Sequence, residues 1–342
     1  MIVEAIKKLI GKRDLTREES RAVMDEIMSG QTHDAQIGSF LTALRMKGET
    51  VDEFTGLAEG MIRKVAQVSP EHKFVVDTCG TGGDSSGTFN ISTIAAFVAA
   101  GAGVCIAKHG NRSISSRCGS ADLLEALGVC VTLTPEQVAK CIDEVGIGFM
   151  FAPMFHPAMK YVMPSRKAMG IRTAFNALGP LTNPAKAPAQ IIGVYNEKLT
   201  DIFAQVLGNL GTKHALVVHG ADGLDELSTT GPSKVSELKN GEVKSYKVEP
   251  EEFGLRRSRP SDILGGDVSE NACITKAILN GEKGSKRDIV VFNSAGAILV
   301  GGKASNLRDA VELAQKSIDS GAALKKLNNL VEFSQKLSRE KH

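Results

Sequence analysis

From Phe74 onward the chain alternates short apolar runs with helix-like runs, and this alternation narrows the fold more than any other feature. FVVDTCG reads as strand then loop, STIAAFVAAGA as helix, and VCIAKHG as strand then loop again. ADLLEALG and PEQVAKCIDEVG read as helices, IGFMFAP and QIIGVY as strands, LTDIFAQVLGNLG as a helix and HALVVHG as a strand. Short apolar strands separated by helices predict a mostly parallel sheet covered on both faces. Between about 230 and 260 the pattern becomes strand-like alternation broken at Asn240-Gly241, a hairpin signal. From 269 it returns to helices, among them IVVFNSAGAILVGG and LRDAVELAQKSID.

The segment before Phe74 is different, because it holds helix signals only. Thr16-x-x-Glu19 and Thr50-x-x-Glu53 read as capping boxes, with Thr32 as a cap between them. Apolar residues in IGSFLTALRM and FTGLAEGMI recur at three- and four-residue intervals. The expected architecture is therefore α/β: a small N-terminal α-helical domain, residues 1–70, and a large α/β domain, residues 71–342, with a mostly parallel central sheet. Residues 156–188 carry too many Gly and Pro breaks for one long helix. They are expected to form two short helices and a loop that pack on the helical bundle and leave a cleft between the domains, where pockets favour forming.

The 342 residues suffice for a large domain plus a smaller one. A net charge of +2 advertises neither nucleic acid nor an anionic membrane as partner. No apolar run approaches the ~18–20 residues of a membrane span, and MIVEAIKKLIGKRD lacks the apolar core of a signal peptide. The six cysteines show no CxxC spacing, so buried reduced thiols in a cytoplasmic protein are expected.

Four stretches carry the chemistry. The first, DTCGTGGDSSGTFNIST, spans 77–93 between a strand and a helix. A glycine-rich turn there exposes backbone N–H groups to an anion, although neither the P-loop nor the Rossmann pattern fits. Asn90 or Ser92 is expected to cap the helix, and Thr88, Ser92 and Thr93 to offer hydroxyls to phosphate. Asp84 is unexpected beside phosphate unless a metal or a sugar intervenes. The second, KHGNRSISSRCGSAD, begins at Lys108 after another strand. Lys108 and Arg112 supply cations, Ser113, Ser115, Ser116 and Ser120 hydroxyls, and Gly110 and Gly119 close approach. Each loop alone is equally an empty turn or a solvated basic loop; together they lie at the carboxyl edge of one sheet, where ligands bind. The third, HGADGLDEL, clusters Asp222, Asp225 and Glu226, which suits Mg2+ held by one or two carboxylates plus phosphates. A solvated acidic turn is the alternative. The fourth holds Pro153, His156, Arg166, Arg172 and Asn176. Arginine recognises carboxylates in two-pronged fashion, but local logic alone makes none of these a site.

DTCGTGGD…TFNIST, KHGNRSISSRCGSADLLEALG, HPAMKYVMPSRKAMGIRTAFNALGPLTNPA and HGADGLDEL together resemble the anthranilate phosphoribosyltransferase family, in order and over most of the chain. The resemblance implies attack of anthranilate's amine on C1 of phosphoribosyl pyrophosphate (PRPP), with N-(5-phosphoribosyl)anthranilate and pyrophosphate as products, a step of tryptophan biosynthesis. It implies a fold shared with pyrimidine nucleoside phosphorylases and a homodimer formed through the α domain. It further implies that Gly80, Gly82, Gly83, Asp84, Thr88, Asn90, Ile91, Ser92 and Thr93 bind PRPP. Lys108, His109, Gly110, Asn111, Arg112, Ser113, Ile114, Ser115, Ser116 and Ser120 form the second PRPP segment. Ser92, Asp225 and Glu226 resemble contacts to two Mg2+ ions. Gly80, Asn111 and Arg166 resemble anthranilate contacts, with His109, Pro153, His156 and Gly179 lining its channel. Lys108 would stabilise the leaving pyrophosphate. The amine is neutral at pH 7, so no general base is assigned. Ser85 departs from the family, which usually has glycine there. Two alternatives remain: a pyrimidine nucleoside phosphorylase, opposed by the NPA stretch and KHGNR, and a non-catalytic nucleic-acid-binding relative, opposed by Asp225, Glu226 and the near-neutral charge.

Overall fold

The computed structural model describes residues 1–84, 86–113 and 117–340. Four helices open the chain: α1 (Ile2–Ile10), α2 (Arg17–Met28), α3 (Asp34–Lys47) and α4 (Val51–Ile62). The Thr16/Glu19 and Thr50/Glu53 capping boxes start α2 and α4 as the spacing predicts. Thr32, however, does not cap α3. The cap is His33, whose N–H donates to Gln36 Oε1 at 3.0 Å, and the Thr32 hydroxyl is buried without a partner. A glutamine three residues after the cap satisfies the backbone from the other side, so no hydroxyl is required.

The alternating region follows in the expected order: β1 (Val76–Gly80), α5 (Ile91–Gly101), β2 (Ile106–Gly110), α6 (Ser120–Ala126), α7 (Pro135–Val145) and β3 (Ile147–Phe151). The breaker-rich stretch forms α8 (Ala152–Phe155), α9 (Met163–Met169) and α10 (Ala174–Leu178), with 3-10 turns at Pro157–Tyr161 and Gly179–Leu181. Then come β4 (Ala189–Gly193), α11 (Lys198–Asn209), β5 (His214–Gly220) and the hairpin strands β6 (Ser233–Lys239) and β7 (Glu242–Val248). Asn240 and Gly241 both take positive φ, 53° and 83°, as a two-residue hairpin turn requires. Four helices close the chain: α12 (Val268–Leu279), α13 (Ser285–Val300), α14 (Leu307–Asp319) and α15 (Ala322–Arg339).

The strands form one sheet in the order β3-β2-β1-β4-β5-β6-β7. The β3-to-β5 portion is parallel, and β6 and β7 add antiparallel strands at one edge. Successive residues face opposite sides of the sheet. Ile191, Leu216 and Val218 accordingly join a core with α5 and α13. Ile192, Ala215 and Val217 join a second core that includes α1–α4, α10 and α11. The helical bundle is thus packed against one face of the sheet through α11. α9 packs on α3, and α10 on both α3 and α4, so the breaker-rich stretch joins the bundle.

Candidate active site

The strand order reverses at β1 and β4: β2 and β3 lie to one side, β5 to the other. Such a reversal opens a crevice at the carboxyl ends of the strands. The glycine-rich loop emerges there. Its first residue is tied to β4, with Thr81 N–H donating to the Gly193 carbonyl at 2.9 Å and Thr81 Oγ1 accepting from Tyr195 N–H at 3.1 Å. Gly82 and Gly83 occupy the left-handed region at φ 65° and 77°, where a side chain would be strained. Gly80 is required for a different reason: a Cβ there would stand 2.5 Å from Asp225 Oδ2. The far arm of the loop is strapped down, since Gly265 N–H donates to the Gly87 carbonyl at 2.9 Å and Thr88 forms a β-bridge with Leu264. Ser85 lies outside the described residues.

Several expectations for this loop need correction. Neither Asn90 nor Ser92 caps α5 with its side chain. Asn90 instead donates to the Cys118 carbonyl at 3.0 Å. The Ile91 side chain is core. The Thr93 hydroxyl is buried without a partner, because the first turn of α5 points these positions into the sheet rather than the crevice. Ile91 and Thr93 can therefore meet a ligand only through their backbone. Ser92, half-buried, keeps its hydroxyl near Lys108 Nζ, at 3.4 Å.

The acidic segment after β5 folds onto this loop. Asp225 Oδ2 accepts from Gly82 N–H at 2.7 Å, and Glu226 Oε1 accepts from Ser92 N–H at 3.2 Å. Burial and the neighbouring Asp84 carboxylate push Asp225 above the usual carboxylate range, and burial and Asp225 do the same to Glu226. Asp84 Oδ2 is buried with no hydrogen-bond partner. Three carboxylates crowd one another; Lys108 opposes the shift at Glu226 without cancelling it, and a divalent cation would supply the remaining relief. Their hard oxygens suit Mg2+. Among the described residues no three His, Cys, Asp or Glu form a ready-made metal cage. Asp222 is not part of the arrangement: it accepts from Ser228 Oγ at 2.8 Å and from Thr230 Oγ1, locking its own turn.

In the second segment, Lys108 is not the free cation the sequence suggests. It is 3% exposed, donates to the Thr78 carbonyl, and has its pKa lowered by burial against the opposing pull of Asp77. Strand alternation aims it beneath the loop. Arg112 is likewise already engaged, reaching Glu125 Oε1 at 2.7 Å and Asp122 Oδ1 at 2.8 Å on the exposed side. Ser120 Oγ donates to the Asn111 carbonyl at 3.1 Å, and Ser113 N–H donates to Asp122 Oδ2 at 3.2 Å. A Cβ on Gly110 would collide with Ser120 Oγ. Ile114, Ser115 and Ser116 lie outside the described residues.

The residues expected around an aromatic acid converge in part. The His109 and His156 rings lie 5.0 Å apart between centroids, and both Nε2 atoms are buried without partners. Burial pushes His109 down to about 3, with His156 adding to the effect and a hydrogen bond to the Gly179 backbone opposing it; burial pushes His156 down to about 4. Pro153 sits exposed on α8, three residues before His156. Arg166, on α9, is half-buried with its guanidinium 5.9 Å from the Phe175 ring centroid. Burial alone lowers its pKa, and among the described residues it has no ion-pair partner. Asn111 is exposed, its Oδ1 accepting from Arg112 N–H at 2.7 Å. Arg172 stacks on Tyr195 at 5.1 Å, and a Cβ on Gly83 would lie 2.8 Å from its Nη2.

Sequence reasoning missed the support beneath the site. Asp77 is fully buried, accepting from His109 N–H at 3.0 Å and from Asn183 Nδ2 at 2.7 Å. It fixes the end of β2 to the start of β1. Asp77 and Asn183 do lie within motifs already singled out, in DTCG and NPA, yet nothing local marks them as partners.

Residues 3–65 match the helical bundle domain of a glycosyl transferase family, and residues 72–324 match its a/b domain. Fold and site together define a two-domain glycosyl transferase of this class. The anthranilate phosphoribosyltransferase of Moorella thermoacetica is 55% identical over 331 residues, covering 97% of this chain and 98% of the relative. That of Pelotomaculum thermopropionicum is 55% identical over 338 residues, covering 99% and 98%. The crystal structure of the Thermus thermophilus enzyme aligns with a TM-score of 0.92 at 42% identity, over 97% of this chain and 99% of that one. The Saccharomyces cerevisiae enzyme in complex with PRPP and Mg aligns at 0.90 and 30% identity, over 98% of each. This chain belongs to the anthranilate phosphoribosyltransferase family.

Proposed function

We propose that this chain transfers the phosphoribosyl group of PRPP to the amine of anthranilate, giving N-(5-phosphoribosyl)anthranilate and pyrophosphate. The observation that carries the reading is the placement of Asp225 and Glu226 on the Gly82 and Ser92 N–H groups of the switch-point loop. Backbone donors that would meet phosphate are here met by carboxylates, and with PRPP bound those carboxylates would be the residues that hold the metal. The S. cerevisiae relatives are described with PRPP and Mg and with 4-fluoroanthranilate, which supports both substrates and the metal.

Asp225, Glu226 and the Ser92 hydroxyl would hold two Mg2+ ions, with Asp84 toward ribose hydroxyls or metal-bound water. Bound Mg2+ supplies positive charge that offsets the pyrophosphate as it leaves. The loop N–H groups and the N-terminus of α5 orient the phosphates. Lys108 acts through its field from below, not by direct contact. Arg166 pairs with the anthranilate carboxylate, and the neutral His109 and His156 rings with Gly179 wall the aromatic ring. The amine lone pair forms the C1–N bond while the C1–O bond to pyrophosphate breaks and its electron pair leaves with the oxygen. The extra amine proton passes to solvent, so positioning and electrostatics supply most of the acceleration.

Copies of the chain pair through the α domain in this reading. Ile10 and Met46, on α1 and α3, are 70% and 83% exposed, and pairing on this side of the bundle would cover them. The described cysteines are all free, in keeping with a cytoplasmic setting, and no described helix is long and apolar enough to cross a membrane.

The metal assignment is tested by Asp225→Asn combined with Glu226→Gln. The Mg2+ concentration for half-maximal activity should rise at least about tenfold, given charge-assisted contacts of roughly 1.5–3 kcal/mol. An unchanged magnesium titration would remove these residues from the site.

A further inference from the structure

Asn271, on α12, lies outside every motif that points to the substrates, yet it joins the two loops assigned to PRPP. Its side chain is 2% exposed. Its Oδ1 accepts from Gly266 N–H at 2.9 Å, and its Nδ2 donates to Asn90 Oδ1 at 3.1 Å. Asn90 Nδ2 in turn donates to the Cys118 carbonyl at 3.0 Å. The direction of this relay is chemically determined at both ends. A backbone N–H can only donate and a backbone carbonyl can only accept, so neither amide can be flipped without opposing like groups. The three segments are also tightly packed: a Cβ on Gly265 would stand 2.5 Å from Phe89 N and 2.8 Å from Asn271 Oδ1.

We propose that Asn271 is a positioning residue for PRPP, holding the glycine-rich loop and the segment before α6 in one register through Asn90. The assignment rests on the functional reading above, in which Asn90 contacts PRPP. The Asn90 side chain does not cap α5. Its amide orientation is set by Asn271 on one side and Cys118 on the other. With the donor at position 271 removed, Asn90 keeps its bond to the Cys118 carbonyl but loses its tie to α12, and the two loops lose their common reference.

The test uses the full-length chain with Asn271→Asp, which keeps the acceptor for Gly266 but sets oxygen against oxygen at Asn90. Asn271→Ser, too short to reach Asn90, serves as the second variant and introduces no charge. PRPP affinity is measured by calorimetry with Mg2+, alongside KM for each substrate and the melting temperature. The expected result is a roughly tenfold weaker PRPP affinity with the anthranilate KM within about twofold of wild type, the scale of one or two lost hydrogen bonds. Folded variants with PRPP affinity within about twofold of wild type would overturn the assignment. So would equal losses for both substrates that track a lowered melting temperature, or failure of both variants to fold, either of which makes Asn271 a residue of the fold alone. A wild-type chain that takes up no PRPP would overturn the functional reading itself along with this assignment.

Discussion

A guanidinium half-withdrawn from water with no carboxylate beside it is expensive to keep, and among the described residues Arg166 is such a group. It rests against Phe175, and burial alone perturbs it. An arriving aromatic carboxylate supplies the missing partner. Arg166→Ala is therefore expected to raise the anthranilate KM about 10- to 100-fold, from the roughly 1.5–3 kcal/mol of a charged hydrogen bond. PRPP binding should stay within about twofold. Arg166→Lys should recover little, since a lysine cannot make the two-pronged contact. Equal loss of affinity for both substrates would contradict the role. Arg112 offers the contrast. It has the same chemistry, but Asp122 and Glu125 already satisfy it, so phosphate would have to compete for it.

At the scale of elements, β2 and α8 bring His109 and His156 together, and their burial has a consequence for stability. Both are neutral in the folded chain, lowered from an ordinary value of 6.5 to about 3 and about 4. Below 6.5 the unfolded chain takes up protons that the folded chain refuses, so stability is complete above that value and lost as pH falls toward 4 and 3. Each histidine costs on the order of 2 kcal/mol at pH 5. Buried carboxylates with raised pKa work in the opposite direction, so the comparison that isolates the effect is with His156→Phe. Denaturant titrations at pH 7 and pH 5 should show a smaller loss for the variant than for the wild type. Identical losses would mean that His156 titrates normally.

Elements were largely legible because their signals are local. Strand runs, the Asn240-Gly241 turn and two capping boxes each occupy a few adjacent residues. Where a feature depended on residues distant in sequence, it was not legible. Asn90 looked like a cap because asparagine before a helix usually is one; in the fold Cys118 and Asn271 claim its side chain. Lys108 looked like a free cation because nothing in KHGNR reveals that the Thr78 carbonyl lies above it. The candidate site was readable as a set of motifs, whereas the hydrogen bonds joining those motifs were not.

The whole molecule is organised around one sheet whose two faces serve different ends. One face carries α5 and α13 in the larger core, and the other reaches through α11 to the helical bundle. Two contacts tie the strand ends to the bundle side: a Cβ on Gly83 would lie against Arg172, between α9 and α10, and His109 hydrogen-bonds the Gly179 backbone after α10. In the proposed reading both substrates meet there, where the two cores adjoin. The bundle's outer surface is the proposed dimer face. Met46→Glu there should shift the light-scattering mass from dimer to monomer while the far-UV spectrum is kept. A wild type that is monomeric at the same concentration would contradict the pairing.

The reaction itself is tested by following anthranilate fluorescence with purified protein, PRPP and Mg2+. The expected result is a loss of signal that requires both PRPP and Mg2+ and is abolished by EDTA. A signal that persists when PRPP is shown by calorimetry to bind would contradict anthranilate as the acceptor and leave only the PRPP half of the site standing.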